Sequence, residues 1–251
     1  MNPLGTSLIT LAIILGGALG GVTLRQVLPA RHLTDDTKDM IKLGNGLIGT
    51  IAALVLGLLI ATAKGSYDTK SGHVQHLAAD LILLDQLLGQ YGPEARPARE
   101  QLRQTISPIV ERIWQENQSD AANHSSFIGS RSGLEAFARI EQLTPQNEAQ
   151  RTIKDRIMQT SADLAQTRLL LFEQRGSSLP LPFLVVLVFW LAIIFASFGM
   201  FSRLNPVQAA ALIVFALSAS GALYLVLELS EPFSGLMQIS SVSLRNALPP
   251  L

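Results

Sequence analysis

The chain has 251 residues, 48% of them hydrophobic and only 15% charged, against about 25% charged in an ordinary soluble domain. Its 19 basic and 19 acidic residues cancel, so no global field gathers nucleic acid, and the absence of cysteine excludes disulfides, thiolate metal sites and a cysteine nucleophile. The balance points to a membrane protein with no nucleic-acid partner.

Four uncharged stretches, residues 4–24, 43–63, 181–201 and 207–227, are long enough to cross a hydrocarbon core as helices. The first has no basic residue ahead of it and is longer than a signal-peptide core, so it reads as a retained span. Backbone polar groups in lipid must be satisfied within the segment, and no alternating strand pattern is present, so the spans are helices. An even number of spans places the N-terminus, segment 64–179 and the C-terminus on one side. Lys64, Lys70, Arg168, Arg175 and Arg245 on that side are balanced by Arg25, Arg31, Lys38, Lys42 and Arg203 on the other, so flanking charge does not orient the protein. The expected organisation is 1–63 (spans one and two), 64–179 (helical domain), 180–228 (spans three and four) and 229–251 (tail).

At about 100° per residue, Asp39, Gly46, Thr50, Ala53, Gly57, Lys64 and Asp68 fall in one sector of the second span, and Ile48, Ile51, Val55 and Leu59 in the opposite one. Gly49 belongs to the four-residue series of small residues with Ala53, Gly57 and Ala61, and Asn45 stands at the start of the run. Two readings are open. Small residues at four-residue spacing let helix backbones approach, with Gly16, Gly17, Gly20 and Gly21 of the first span as a matching surface. Alternatively the face lines a pore, with Asp39, Lys42, Lys64 and Asp68 as charged rings at its mouths when subunits repeat about an axis. The pore reading takes Asp39, Asn45, Gly46, Gly49, Thr50, Ala53, Gly57, Lys64 and Asp68 as lining candidates.

Within 64–179, Val74, Leu77, Leu81, Leu84, Leu88 and Tyr91 alternate three and four apart, a coiled-coil-like seam ended by Gly92 and Pro93. A second helix, with Pro97 in its first turn and Pro108 expected to kink it, carries Leu102, Ile106, Ile109 and Ile113 on one stripe. Residues 117–130 form a polar loop. Ser132 with Glu135 can box a short helix, and Thr144 before Pro145 is expected to cap a long one reaching Gln174. His73, His76 and Asp80 share a helical face with metal-ligand spacing, though no fourth ligand accompanies them and the solvated flank of the seam explains them as well. His124, Ser125 and Ser126 lack the elbow and paired acid of a triad, and there is no Walker loop, dinucleotide fingerprint or HExxH. The expectation is a protein that is not an enzyme and has no cofactor.

The third span is bulky nearly all round, with Phe183, Val186, Phe189, Trp190 and Phe195 among its residues, as suits lipid. The fourth is rich in alanine, serine and glycine from Ala209 to Ala222 and is expected to lie buried in the bundle. Glu228 and Glu231 close it and are candidates for ion contact, although acids at a membrane boundary are commonly just solvated.

The run HLTDDTKDMIKLGNGLIGTIAALVLGLLIATAKGSYD and the ending ELSEPFSGLMQISSVSLRNAL resemble the bestrophin-like family of bacterial membrane proteins over nearly the whole chain. The resemblance implies kinship with bestrophins: an all-α, homo-oligomeric (pentameric) ion channel of the bacterial inner membrane, four spans, pore-lining second span, cytoplasmic helical insertion and both termini cytoplasmic. Glu231, Pro232, Phe233, Ser234 and Gly235 echo the turn that follows the last bestrophin span. No acidic cluster follows that turn and the second span has no aromatic neck, so neither calcium gating nor anion selectivity is carried over. The expected partners are the bilayer, further copies of the chain and permeant ions. The alternative is a non-conducting scaffold whose cytoplasmic helices dock a partner protein; an enzyme or active transporter ranks third, because no intramembrane charge is present to couple transport.

Overall fold

The computed structural model describes residues 2–28, 34–115, 131–173, 180–201 and 205–247. These form helices α1 (Pro3–Val27), α2 (Asp35–Tyr91), α3 (Arg96–Gln115), α4 (Arg131–Glu141), α5 (Glu148–Glu173), α6 (Leu181–Phe201), α7 (Pro206–Ser230) and α8 (Val242–Arg245), with a 3₁₀ turn at Pro93–Ala95. No strand occurs among the described residues. The polar loop 117–130 and the side chains of Ile106, Pro108, Ile109, Ile113 and Ser132 lie outside what is described.

Four helices, α1, α2, α6 and α7, are long and apolar enough to cross a membrane. In α2 the uncharged stretch is 43–63; the whole helix of 57 residues extends about 86 Å, far more than a hydrocarbon core of about 30 Å. Proline opens two of these helices, Pro3 in α1 and Pro206 in α7, where its missing N–H removes no helical bond. The chain divides into two compact units: Met1–Ser66 with Ser177–Ser230, and Tyr67–Gly176 with Glu231–Leu251.

In the first unit α1 packs along α6 and against α7. The α1–α6 crossing is a backbone-on-backbone contact. A Cβ added at Gly17 would stand 2.7 Å from the Ala192 carbonyl oxygen, and one at Gly21 or Gly199 would overlap the carbonyl of Ala196 or Ala18. Such an approach is open only to glycine, and in lipid it replaces the hydrophobic force that is absent between helices. Gly16 and Gly20 meet nothing. The glycines of α1 therefore serve α6, and the expected pairing of these glycines with the small face of α2 does not occur within the protomer. Against α7, the Ser7 and Ser220 hydroxyls lie 2.9 Å apart and each also donates to the other's carbonyl, at 3.2 and 2.8 Å. Ile14, Ala18, Phe195 and Ala216 make the core at this junction. The expectation that α7 is buried all round is corrected: Ala216, Ser220 and Leu223 form a buried stripe while Ile213, Val214, Phe215 and Leu217 are at least half exposed. Small residues on α7 supply one contact line, not an enclosed helix.

In the second unit every member of the α2 seam from Val74 to Tyr91 is buried. Gly92, at φ 126°, lets the chain turn after Tyr91. Asp85 binds two arginines of α3: Arg99 Nε and Nη2 donate to its two oxygens at 2.8 Å each, and Arg103 donates to the same oxygens at 2.9 and 3.0 Å. Burial pushes the Asp85 carboxyl up, but the two guanidiniums outweigh it and hold the pKa at about 2. The cap of α5 is Asn147, whose Oδ1 accepts from the Gln150 N–H at 2.8 Å. Thr144 with Pro145 does not cap it, because the helix begins three residues later than their position requires. Residues 231–247 do not form a separate tail: Phe233, Ile239, Leu244 and Ala247 are in the hydrophobic core of this unit, and the Trp114 indole N–H donates to the Ile239 carbonyl at 2.8 Å while its ring meets Phe233 edge-on at 5.7 Å.

Candidate functional site

The apolar part of α2 divides by face. Ala52, Leu59 and Ala63 are buried and Ile48 and Val55 half-buried within the first unit, whereas Gly46, Thr50, Ala53, Gly57 and Ala61 are exposed. A side chain added at Gly46, Gly49 or Gly57 would meet nothing within 4 Å. The bulky side is thus used for packing inside the protomer and the small side is left open. Beside the small strip runs a second exposed strip, with Met40, Leu43, Leu47, Leu54 and Leu58 each more than half exposed. Ile51, expected on the packed side, lies at its edge and is 39% exposed.

The polar residues of this helix separate into three roles. Asn45 turns away from the open face, and its amide donates to the Ser197 hydroxyl of α6; Ser197 in turn donates to the Ile194 carbonyl at 2.7 Å. Asn45 is therefore a packing residue, removed from the lining set. Thr50 stays on the open face with its hydroxyl donating back to the Gly46 carbonyl at 2.8 Å, which leaves the oxygen's lone pairs outward. At one end Asp39 is ion-paired with Lys42 at 2.9 Å, both about two-thirds exposed, and Asp35 with Lys38 at 2.8 Å. At the other, Lys64 and Asp68 are exposed and both take part in interactions.

Glu228 is 2% exposed and hydrogen-bonded with Tyr224, so within the protomer it is not presented to an open surface. Glu231 belongs to its own turn. Its carbonyl accepts from the Ser234 N–H at 3.2 Å and its carboxylate from the Ser234 hydroxyl at 3.4 Å. Gly235 at φ 85° completes that turn in a conformation that favours glycine. No group of three metal-ligating side chains occurs among the described residues. Of the weak candidates, His76 is exposed and His73 and Asp80 half-buried; burial and the nearby Asp163 raise the Asp80 pKa, with His76 opposing.

The family model of the Bestrophin-like domain matches residues 12–244. The chain belongs to the bestrophin-like family. Among curated proteins none matches it significantly by sequence. Its fold is similar to crystal structures of two single-substitution variants of a bacterial bestrophin homolog from Klebsiella pneumoniae. One aligns with a TM-score of 0.69 at 12% identity over 98% of this chain and 96% of that one; the other with 0.66 at 13% identity over 96% and 95%. This bestrophin-like chain therefore keeps the fold along its whole length while sharing few side chains with those proteins, and its site residues must be judged on their own geometry.

Two features escaped the sequence reading. Asp85 is an acid one position past the seam residue Leu84, and Arg99 and Arg103 stand four apart on α3; that spacing on a facing helix is the signal for a buried two-arginine clamp. Ser7 and Ser220 lie 213 residues apart, and a lone serine in an apolar helix does not name its partner.

Proposed function

We propose that the protein is a homo-oligomeric ion channel of the bacterial inner membrane, with α1, the 43–63 part of α2, α6 and α7 as its four spans and the small face of α2 lining the pore. The observation that carries this reading is the open face of α2: Gly46, Thr50, Ala53 and Gly57 are exposed within the protomer, and a side chain added at Gly46 or Gly57 would meet nothing, while the opposite side is packed. A protomer that leaves its smallest-residue face unpartnered, with charge at both ends of it, has the surface that a ring of subunits needs around a water-filled axis. Asp39 and Lys64 are 25 residues apart on one helix, about 38 Å of rise, which suits two mouths on opposite sides of a hydrocarbon core. Family membership and the likeness to pentameric channels support five copies, a cytoplasmic insertion and cytoplasmic termini.

Each Asp39 is partly neutralised by its own Lys42, so the field at that mouth is weaker than five bare carboxylates would give. Reversing Asp39 removes the pair and leaves two positive groups per subunit. Purified protein in planar bilayers is expected to pass current, and Asp39→Lys and Lys64→Glu to shift the reversal potential in a salt gradient. An intact oligomer that carries no current at any salt, pH or voltage would refute conduction and favour the scaffold.

A further inference from the structure

On α4, Glu135, Ala138, Arg139 and Gln142 recur three and four apart and so share one face of the helix. Ala136 and Ile140 of the same helix are buried, and α4 packs on α3. The packing leaves a gap. A cavity of about 500 Å³ is lined on the α4 side by that face and by Leu143, and on the α3 side by Glu94, Pro97 and Ala98. Ala98 and Leu143 give it a buried apolar floor, while the charged residues Glu94, Glu135 and Arg139 are exposed at its rim. A Cβ at Gly92 would stand 2.8 Å from Glu94 Oε2, so that carboxylate lies against the turn before α3. Glu135 precedes Arg139 by four residues, the order that favours an ion pair along a helix, yet neither side chain enters an ion pair or hydrogen bond among the described residues.

The volume falls within the range of about 300–1,000 Å³ that small-molecule sites occupy, and the charges around it select the ligand. Two carboxylates against one guanidinium leave the cavity with a single net negative charge. A simple anion would meet both carboxylates, and a diamine would set a cation beside Arg139. A ligand that carries both signs satisfies all three groups. We propose that this cavity binds a free amino acid with a cationic side chain, its α-carboxylate on Arg139, its α-ammonium on Glu135 one helical turn away, and its side-chain cation on Glu94. The single net positive charge of such a ligand balances that of the site, and the planar guanidinium matches a carboxylate with two parallel hydrogen bonds. Its methylene stem has the apolar lining of Ala98, Ala138 and Leu143 to lie on. The site is contained in the helical unit and stands whether or not the protein conducts.

The test is thermal unfolding of the purified full-length protein in detergent at constant ionic strength, titrated separately with L-lysine, cadaverine, L-glutamate and Nα-acetyl-lysine. L-lysine is expected to stabilise saturably and to bind about tenfold tighter than cadaverine, which lacks the carboxylate, or L-glutamate, which lacks the second cation. Arg139→Gln should erase the preference for L-lysine over cadaverine, and Glu135→Gln should weaken L-lysine about tenfold. Ala138→Leu fills the cavity from an exposed position and should abolish the response. No saturable response to L-lysine, equal affinity for L-lysine and cadaverine, L-glutamate binding as tightly as L-lysine, or a response retained in Ala138→Leu would overturn the site. Nα-acetyl-lysine binding as tightly as L-lysine would overturn the free amino acid and point to the carboxy-terminal lysine of a peptide. Should Ala138→Leu not fold, Arg139→Gln decides: an unchanged ratio of L-lysine to cadaverine affinity refutes the proposal.

Discussion

The α1–α6 crossing makes a graded prediction within one run of glycines. A methyl group at Gly21 would overlap the Ala196 carbonyl, one at Gly17 would stand 2.7 Å from the Ala192 oxygen, and one at Gly20 would touch nothing. The obstacles at Gly21 and Gly17 are backbone atoms of a helix, which cannot swing aside as a side-chain end can. The two helices must separate, and the Ile14, Ala18, Phe195 and Ala216 core at this junction opens with them. Gly21→Ala is therefore expected at the upper end of overpacking costs, about 2–3 kcal/mol, Gly17→Ala at about 1–2 kcal/mol, and Gly20→Ala within about 0.5 kcal/mol of the parent. For a chain of this size about 2–3 kcal/mol corresponds to about 4–12 °C in Tm. Thermal unfolding in detergent, followed by loss of the folded peak in fluorescence-detected gel filtration, gives the order directly. Equal destabilisation by Gly20→Ala and Gly21→Ala would show that α1 does not meet α6 on the Gly17–Gly21 side.

On α2 the expectation is reversed: Gly57→Leu and Ala53→Leu enter open space, so the protomer should keep its Tm while current falls, and a Tm loss comparable to that of Gly21→Ala would place another element on this face. Thr50→Val should lower conductance without changing assembly, since it removes the outward oxygen; gel filtration and bilayer recording check the two halves. Asp85→Asn leaves Arg99 and Arg103 without their counter-charge and should cost about 1–2 kcal/mol, read by limited proteolysis of the helical unit. Because the folded pKa of Asp85 lies at about 2, below the ordinary 3.8, its stabilisation is complete above about pH 4 and is lost as pH falls towards 2. Arg99 is one-third exposed, so solvent screening limits that contribution to about 1–2 kcal/mol, and the acid limb of a pH–Tm curve should flatten in Asp85→Asn. Topology is tested on the cysteine-free background: Asp155→Cys should be shielded from an impermeant thiol reagent in intact cells and Asp35→Cys labelled, and the reverse pattern would invert the orientation.

What was legible in the sequence follows from which interactions are periodic. The seam from Val74 to Tyr91 was readable because burial on one helix face repeats every three or four residues, and each of those residues is buried. The four long apolar helices were readable because length and apolarity show in the sequence itself. The cap of α5 was misplaced because Thr144–Pro145 and Asn147 are both acceptable starts by residue type, and only the Asn147 hydrogen bond to the Gln150 N–H separates them. The burial of α7 was overstated for a related reason. Small residues show that something approaches closely, but not on how many sides, and here one stripe meets α1 while Phe215 and Leu217 stay exposed.

The candidate face poses the same ambiguity in a form that the fold narrows. Glycine four apart in lipid is required wherever backbones approach and also where a pore must stay wide, so the pattern in α1 and the pattern in α2 look alike as sequence. They differ in what stands opposite. Gly17 and Gly21 face carbonyls of α6, and replacing either costs contact; Gly46, Gly49 and Gly57 face nothing. A helix does not gain stability from an unpartnered glycine, which weakens it by about 0.5–1 kcal/mol relative to alanine in water. Three such glycines with open space before them, next to a leucine strip that would suit lipid or a neighbouring subunit, therefore call for a reason outside the protomer. Close approach of a second copy and clearance for a permeating ion are the two available, and they separate on bulk: Gly57→Ala adds one methyl, which would disturb a tight helix contact yet barely narrow a water-filled axis. Retention of both assembly and current in Gly57→Ala, with current alone lost in Gly57→Leu, is the pore result; loss of the oligomer already at alanine would assign the face to subunit packing and move the pore elsewhere on the bundle.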